Sequence, residues 1–145
     1  MFDPLVRTEK KPGASLTAAT TLTAEDSGRC YELNGAAGVA FTTTLPALVA
    51  NGPIMEFEFI VGIAPTTNNY IITTPAADND KLNGLAFSST GGDANSVTDA
   101  GADLVNLVVN VALIGDRVVV KSNPAGTRWY AYAWTNADAA ATFTG

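Results

Sequence analysis

The chain has 145 residues, of which 47% are hydrophobic and 15% charged, with a net charge of −6 and no histidine. That length suits a single domain burying roughly two-thirds of the surface its unfolded form exposes, and the apolar content excludes a disordered polymer. The acidic balance argues against nucleic acid as a partner, since phosphate binding works through counterions displaced by clustered Lys and Arg, and the missing histidine removes the side chain most used for proton transfer near neutrality.

Residues 1–14, MFDPLVRTEKKPGA, differ in character from the rest of the chain: two prolines, a glycine and five charges surround the small apolar group Phe2, Leu5 and Val6. Pro4 and Pro12 oppose a helix, and the stretch is too short for a core of its own, so it reads as an extended N-terminal arm ahead of a single domain over 15–145. The arm carries the only basic cluster, Arg7, Lys10 and Lys11. It lacks the continuous apolar run of a secretory signal, and nowhere does the chain offer the roughly 20 apolar residues a membrane-spanning helix requires. A soluble protein with no membrane partner is expected.

From 15 onward, strand-like runs alternate with turn clusters and no amphipathic helix is evident, the pattern of an all-β domain. LTAATTLT at 16–23 reads as a strand, followed by the turn AEDSG, where Asp26 can bond the backbone and Gly28 can take a positive φ. RCYELN at 29–34 places Tyr31 and Leu33 on one face and Cys30 and Glu32 on the other. After a turn at 35–38, VAFTTTL at 39–45 is stopped by Pro46, which cannot donate a ladder hydrogen bond, with Leu45 plugging the core.

PIMEFEFIVGI at 53–63 has the clearest period of two, with Met55, Phe57, Phe59 and Val61 inward and Glu56 and Glu58 outward. YIITT at 70–74 is the next strand, and PAADND breaks it. A short strand at 82–88 leads into a Gly/Asp/Asn/Ser-rich loop at 89–102, a length seen mainly where a loop is functional or tied down. VNLVVNVAL at 105–113 is read as a strand, because Val105, Leu107, Val109, Val111 and Leu113 alternate with other residues and β-branched side chains dominate.

Gly115 and Asp116 turn the chain into RVVVKS at 117–122, and the turn NPAG at 123–126 makes a hairpin with TRWYAYAW at 127–134. In that last strand Trp129, Ala131 and Ala133 occupy one face, and Tyr130, Tyr132 and Trp134 the other. A continuous aromatic face is expected to pack in the core or between sheets. Its alternative use is a subunit or partner interface, where Tyr and Trp are enriched. The fold expected from these elements is an antiparallel β-sandwich or barrel, jelly-roll-like or β-tulip-like, with the extended arm.

Motifs for chemistry are few. Cys30 is the only cysteine, so no disulfide can form within the chain, and production in a reducing cytoplasm is expected; it reads as a small half-buried strand residue. DND at 78–80 with Gly84 fails the spacing of a calcium loop, and Asp78, Asp93, Asp99 and Asp103 read as solvated loop carboxylates. Glu56 and Glu58 share a strand face about 7 Å apart, but no sugar platform accompanies them. No P-loop, GxSxG or CxxC occurs. Neither an enzyme nor a cofactor or metal is expected, and the low charge suggests a surface partly covered by a partner.

Three stretches taken in order, TLTAEDSGRCYELNGAAGVAFTTTLPA at 21–47, GPIMEFEFIVGIAPTTNNYIITT at 52–74 and GDRVVVKSNPAGTRWYAYA at 115–133, resemble a β-domain of tailed-bacteriophage virion proteins, among them capsid decoration, or cement, proteins and parts of tail fibres. The resemblance implies a structural protein of the virion, and the first reading is a decoration protein on the outer surface of the capsid that stabilises contacts between major capsid protein subunits; for such proteins the resemblance implies a homo-trimer. A ligand that binds only the assembled shell stabilises it by mass action. The expected capsid contact is the arm, with Phe2, Leu5 and Val6 filling apolar pockets and Arg7, Lys10 and Lys11 meeting an acidic surface; Tyr130, Tyr132 and Trp134 are the expected subunit interface. The alternative is a head-fibre or tail-fibre domain that binds a host receptor or glycan through exposed aromatics and the 89–102 loop.

Overall fold

The computed structural model describes residues 11–36, 41–90, 95–96 and 101–145. Twelve strands are defined among them: β1 Ala14–Leu16, β2 Thr20–Thr21, β3 Cys30–Leu33, β4 Phe41–Thr44, β5 Glu56–Val61, β6 Tyr70–Thr73, β7 Leu82–Ser88, β8 Asn95–Ser96, β9 Leu104–Leu107, β10 Arg117–Ser122, β11 Trp129–Thr135 and β12 Ala141–Thr144. The only helical pieces among the described residues are two single 3-10 turns, Ala24–Asp26 and Ala76–Asp78. No helix there is long and apolar enough to cross a membrane.

The strands form two sheets, a larger one ordered β1-β3-β5-β10-β11-β7-β8 and a smaller one ordered β12-β9-β6-β4-β2. Neither closes into a barrel. The sheets are mixed, which corrects the antiparallel expectation: of the ten strand pairings, five are parallel, β1–β3, β3–β5, β2–β4, β4–β6 and β7–β11. Parallel neighbours need a crossover rather than a tight turn. Here the crossover is itself a strand: from β1 to β6 the chain alternates between the sheets, so that each sheet gains every second strand in parallel. Antiparallel order begins with β8 against β7, and continues with β9 against β6 and β12 and β10 against β5 and β11.

Period-two burial works as read where the pattern is strong. Met55, Phe57, Phe59 and Val61 are buried, while Glu56 lies exposed and Glu58 half-buried on the opposite face. Tyr31, Leu33, Val118, Val120, Trp129, Ala131 and Ala133 from the larger sheet meet Phe41, Tyr70, Ile72, Val105, Leu107 and Ala141 from the smaller one in a single core cluster. Leu45 is 1% exposed, in the core position expected beside Pro46.

Two runs break differently from expectation. The run at 16–23 is not one strand: it ends β1 in the larger sheet, bends, and resumes as β2 in the smaller. The run at 105–113 stays extended only to Leu107. Beyond it the Asn69 side chain accepts the Val109 N–H at 2.8 Å, Asn110 takes φ 61° and the Ala112 N–H returns to the Val108 carbonyl at 2.8 Å, turning the chain and leaving Leu113 exposed. Between β2 and β3 the expected turn is present, with Gly28 at φ 90°.

Asp26 closes that turn by accepting both the backbone N–H and the hydroxyl of Thr23 at 2.9 Å, with Arg29 Nε 3.4 Å from its other oxygen. The Thr23 backbone hydrogen bond foremost, opposed by burial and helped by the Thr23 hydroxyl, Arg29 and Lys11, holds its carboxyl below the ordinary value of 3.8. A lowered folded pKa gives stability that is present above the unfolded value and lost as pH falls through the folded one. Asp26→Asn is therefore expected to flatten the fall in stability below about pH 4, measured by urea unfolding across an acid series.

Candidate functional site

Because β7, β11, β10, β5 and β3 are consecutive in the larger sheet, their outward side chains line up in rows. One row is Phe87, Trp134, Arg117, Ile60 and Glu32; the next is Leu85, Tyr132, Val119, Glu58 and Cys30; the third is Asn83, Tyr130, Lys121 and Glu56. The face is thus aromatic towards β7 and β11 and ionic towards β10, β5 and β3. Glu58 pairs with Arg117 at 3.5 Å and Glu56 with Lys121 at 3.4 Å, so the two same-face glutamates are each matched to a cation.

Tyr130, Tyr132 and Trp134 are brought together here, 39%, 39% and 41% exposed, and Phe87 joins them at 43%. Core packing of this aromatic face is thereby overturned. The opposite face of β11 faces the core, where Trp129 fills the volume and Ala131 and Ala133 allow the sheets to approach. The Arg117 guanidinium lies over the Trp134 ring, 4.7 Å from its centroid. On the neighbouring strand Phe87 is nearly parallel to the same ring, 21° between planes at 6.4 Å, while Tyr132 sits 6.4 Å away at 33°. Arg117 from β10 and Phe87 from β7 thus flank the indole from the two neighbouring strands.

Of the expected arm contacts, Phe2, Leu5, Val6, Arg7 and Lys10 lie outside the described residues. Lys11 is exposed and donates its ammonium to the Glu25 carbonyl. Most of the 89–102 loop also lies outside them, although Asn95 and Ser96 pair with β7 and Ala102 bridges Leu82.

Asp78 is not a solvated loop carboxylate: it is 3% exposed, accepts the Leu48 N–H at 2.7 Å and binds Lys81 Nζ at 2.9 Å. Asp103 accepts the Asp80 N–H at 2.6 Å. Asp93 and Asp99 fall outside the described residues, within which no cluster of three metal-ligating groups occurs. Cys30 is half-buried on its strand.

Sequence reasoning missed Phe87, Leu85 and Arg117 as members of this surface. The hairpin turn is longer than NPAG: the Asn123 side-chain oxygen accepts the N–H groups of Thr127 and Arg128 at 2.8 and 3.1 Å, and Ser122 pairs with Trp129. That register, rather than one closed at 126, sets Arg117 opposite Trp134. Phe87 arrives through the parallel β7–β11 pairing, for which no local sequence signal exists. Comparison with known proteins returns no matching family model, no matching curated protein and no matching solved structure.

Proposed function

We propose that this chain is a structural binding protein, a capsid decoration protein of a tailed bacteriophage that docks on the outer surface of the head and stabilises contacts between major capsid protein subunits. The two sheets are the layers of its sandwich, and it acts as a homo-trimer without cofactor or nucleic acid. The observation that carries the reading is the exposed aromatic row of Tyr130, Tyr132, Trp134 and Phe87 on a face bordered by matched charges. Aromatic residues and Arg are the side chains over-represented at protein interfaces. With the arm residues outside the described structure, this row is the surface through which we assign contact with protein partners.

Glycan recognition, the rival reading, fits the geometry less well. Sugars stack on open ring faces, and the Trp134 ring already has the Arg117 guanidinium over it and Phe87 nearly parallel beside it. The acidic charge of −6 also suits the outside of a shell, away from packaged DNA.

The test is the copy number of the chain in purified virions by quantitative mass spectrometry, relative to the major capsid protein. Comparable abundance supports decoration, a few copies move the chain to a fibre or vertex, and absence overturns the virion reading. Trp134→Ala is expected to weaken attachment to purified heads by at least about tenfold, the scale of an aromatic hot spot, with the fold intact.

A further inference from the structure

The face that carries the aromatic row ends, at its β1 edge, in a groove. A cavity of about 540 Å³ opens there between the backbone of β1 and the turn at Ile114 and Gly115, with Cys30, Glu32 and Ile60 exposed to it. Its lip is apolar, for Ile114 is 68% exposed and Leu113 and Ile63 beside it 46% and 51%. Its one acidic group is Glu32, which has no ion pair or side-chain hydrogen bond among the described residues, although the other two glutamates of this face are paired. The Glu32 side chain crowds Gly62, where a Cβ would collide with Oδ1 of Asn34 and with Oε1 and Cγ of Glu32. An apolar trough with one unmatched carboxylate fits an extended segment that carries aliphatic side chains and one cation.

We propose that the groove receives residues 2–7 of a second copy of this chain. Such a segment has the matching chemistry: extended, it presents Leu5 and Arg7 on one face about 7 Å apart, an aliphatic group for Ile60 and Ile114 and a cation for Glu32. The ten residues before Lys11 span up to about 35 Å when extended, enough to cross onto a neighbour.

β1, β3 and β5 are parallel, and the groove runs towards their C-terminal ends at Gly62 and Gly115. Lys11 and Pro12 enter β1 from the N-terminal ends of these strands, with Lys11 on the Glu25 carbonyl and Arg29 on the Pro12 carbonyl at 3.4 Å. At Lys11 the chain is therefore directed away from its own groove. Donating a segment to one neighbour and accepting one from the next is a heterologous contact, which makes a ring of three copies when the rotation between neighbours is 120°, so the inference deepens the homo-trimer of the proposed function and rests on that part of it.

Cys30 lines the groove, which supplies the test. Leu5→Cys in the full chain, oxidised in solution, is expected to give disulfide-linked dimers and larger rings on a non-reducing gel, and Cys30→Ser in the same chain to abolish them. Arg7→Glu is expected to lower the solution mass of the unmodified protein, and Glu32→Arg added to it to restore that mass. A disulfide within one chain, no disulfide above the level of the parent protein, or no rescue by the charge swap would overturn the proposal. Each readout uses purified protein, so failure here is distinct from a failed copy number in virions.

Discussion

Trp129→Ala is expected to destabilise the domain by about 3–5 kcal/mol, the range for truncating a large buried aromatic, whereas Trp134→Ala, further along the same strand, is expected to change stability by less than about 1 kcal/mol. Trp129 is 0% exposed and packs 6.2 Å from Phe57, centroid to centroid, between the two sheets. Beside it Ala131 and Ala133 have no side-chain length with which to fill a void. Its indole N–H finds no acceptor among the described residues, an arrangement that offsets some of what its burial contributes. Trp129→Phe removes that donor along with one ring, so its cost is expected to be clearly smaller than that of the alanine variant. Urea unfolding of the three variants measures all of this. A loss for Trp134→Ala as large as that for Trp129→Ala would mean that the outer row holds up the fold rather than serving a partner.

How much of this was legible in the sequence depended on whether a contact was local. The alternation in 53–63 and 127–134 identified both faces of β5 and β11, since every second residue of a strand shares a face wherever the strand pairs. The pairing itself was not local. Because the strands from β1 to β7 enter the two sheets alternately, a run such as 16–23 that reads as one strand is divided between them, and turns there that look like hairpin connections are crossings between layers. β12 went unread, since ATFT at 141–144 is short and carries a single large apolar residue, Phe143. The aromatic row was legible as a face of β11, but its exposure was not, for burial depends on which side the second sheet covers. The groove at β1 combines residues from four separate stretches, and no spacing rule brings Gly13, Glu32, Ile60 and Ile114 together.

Asp116 shows a turn residue with a larger role than its sequence context suggests, and Asp116→Ala is expected to cost about 2–4 kcal/mol, the scale for removing a buried charged acceptor and stranding its donors. Its side chain is 0% exposed. One oxygen accepts the Leu113 N–H at 2.9 Å, and the other accepts both the backbone and the side-chain N–H of Asn136 at 2.8 Å. The carboxylate therefore ties the turn before β10 to the chain just after β11, across the end of the sheet that carries Trp134. Asp116→Asn preserves the shape but offers one acceptor oxygen in place of two, so it is expected to lose about 1–2 kcal/mol. The same turn presents Ile114 to the groove. Hydrogen exchange should accordingly quicken at Leu113 and Asn136 in both variants before global unfolding sets in, with the amides of β5 unchanged. If Asp116→Ala cost less than about 1 kcal/mol, the turn would be held by its backbone alone, and the groove's far wall would owe nothing to this carboxylate.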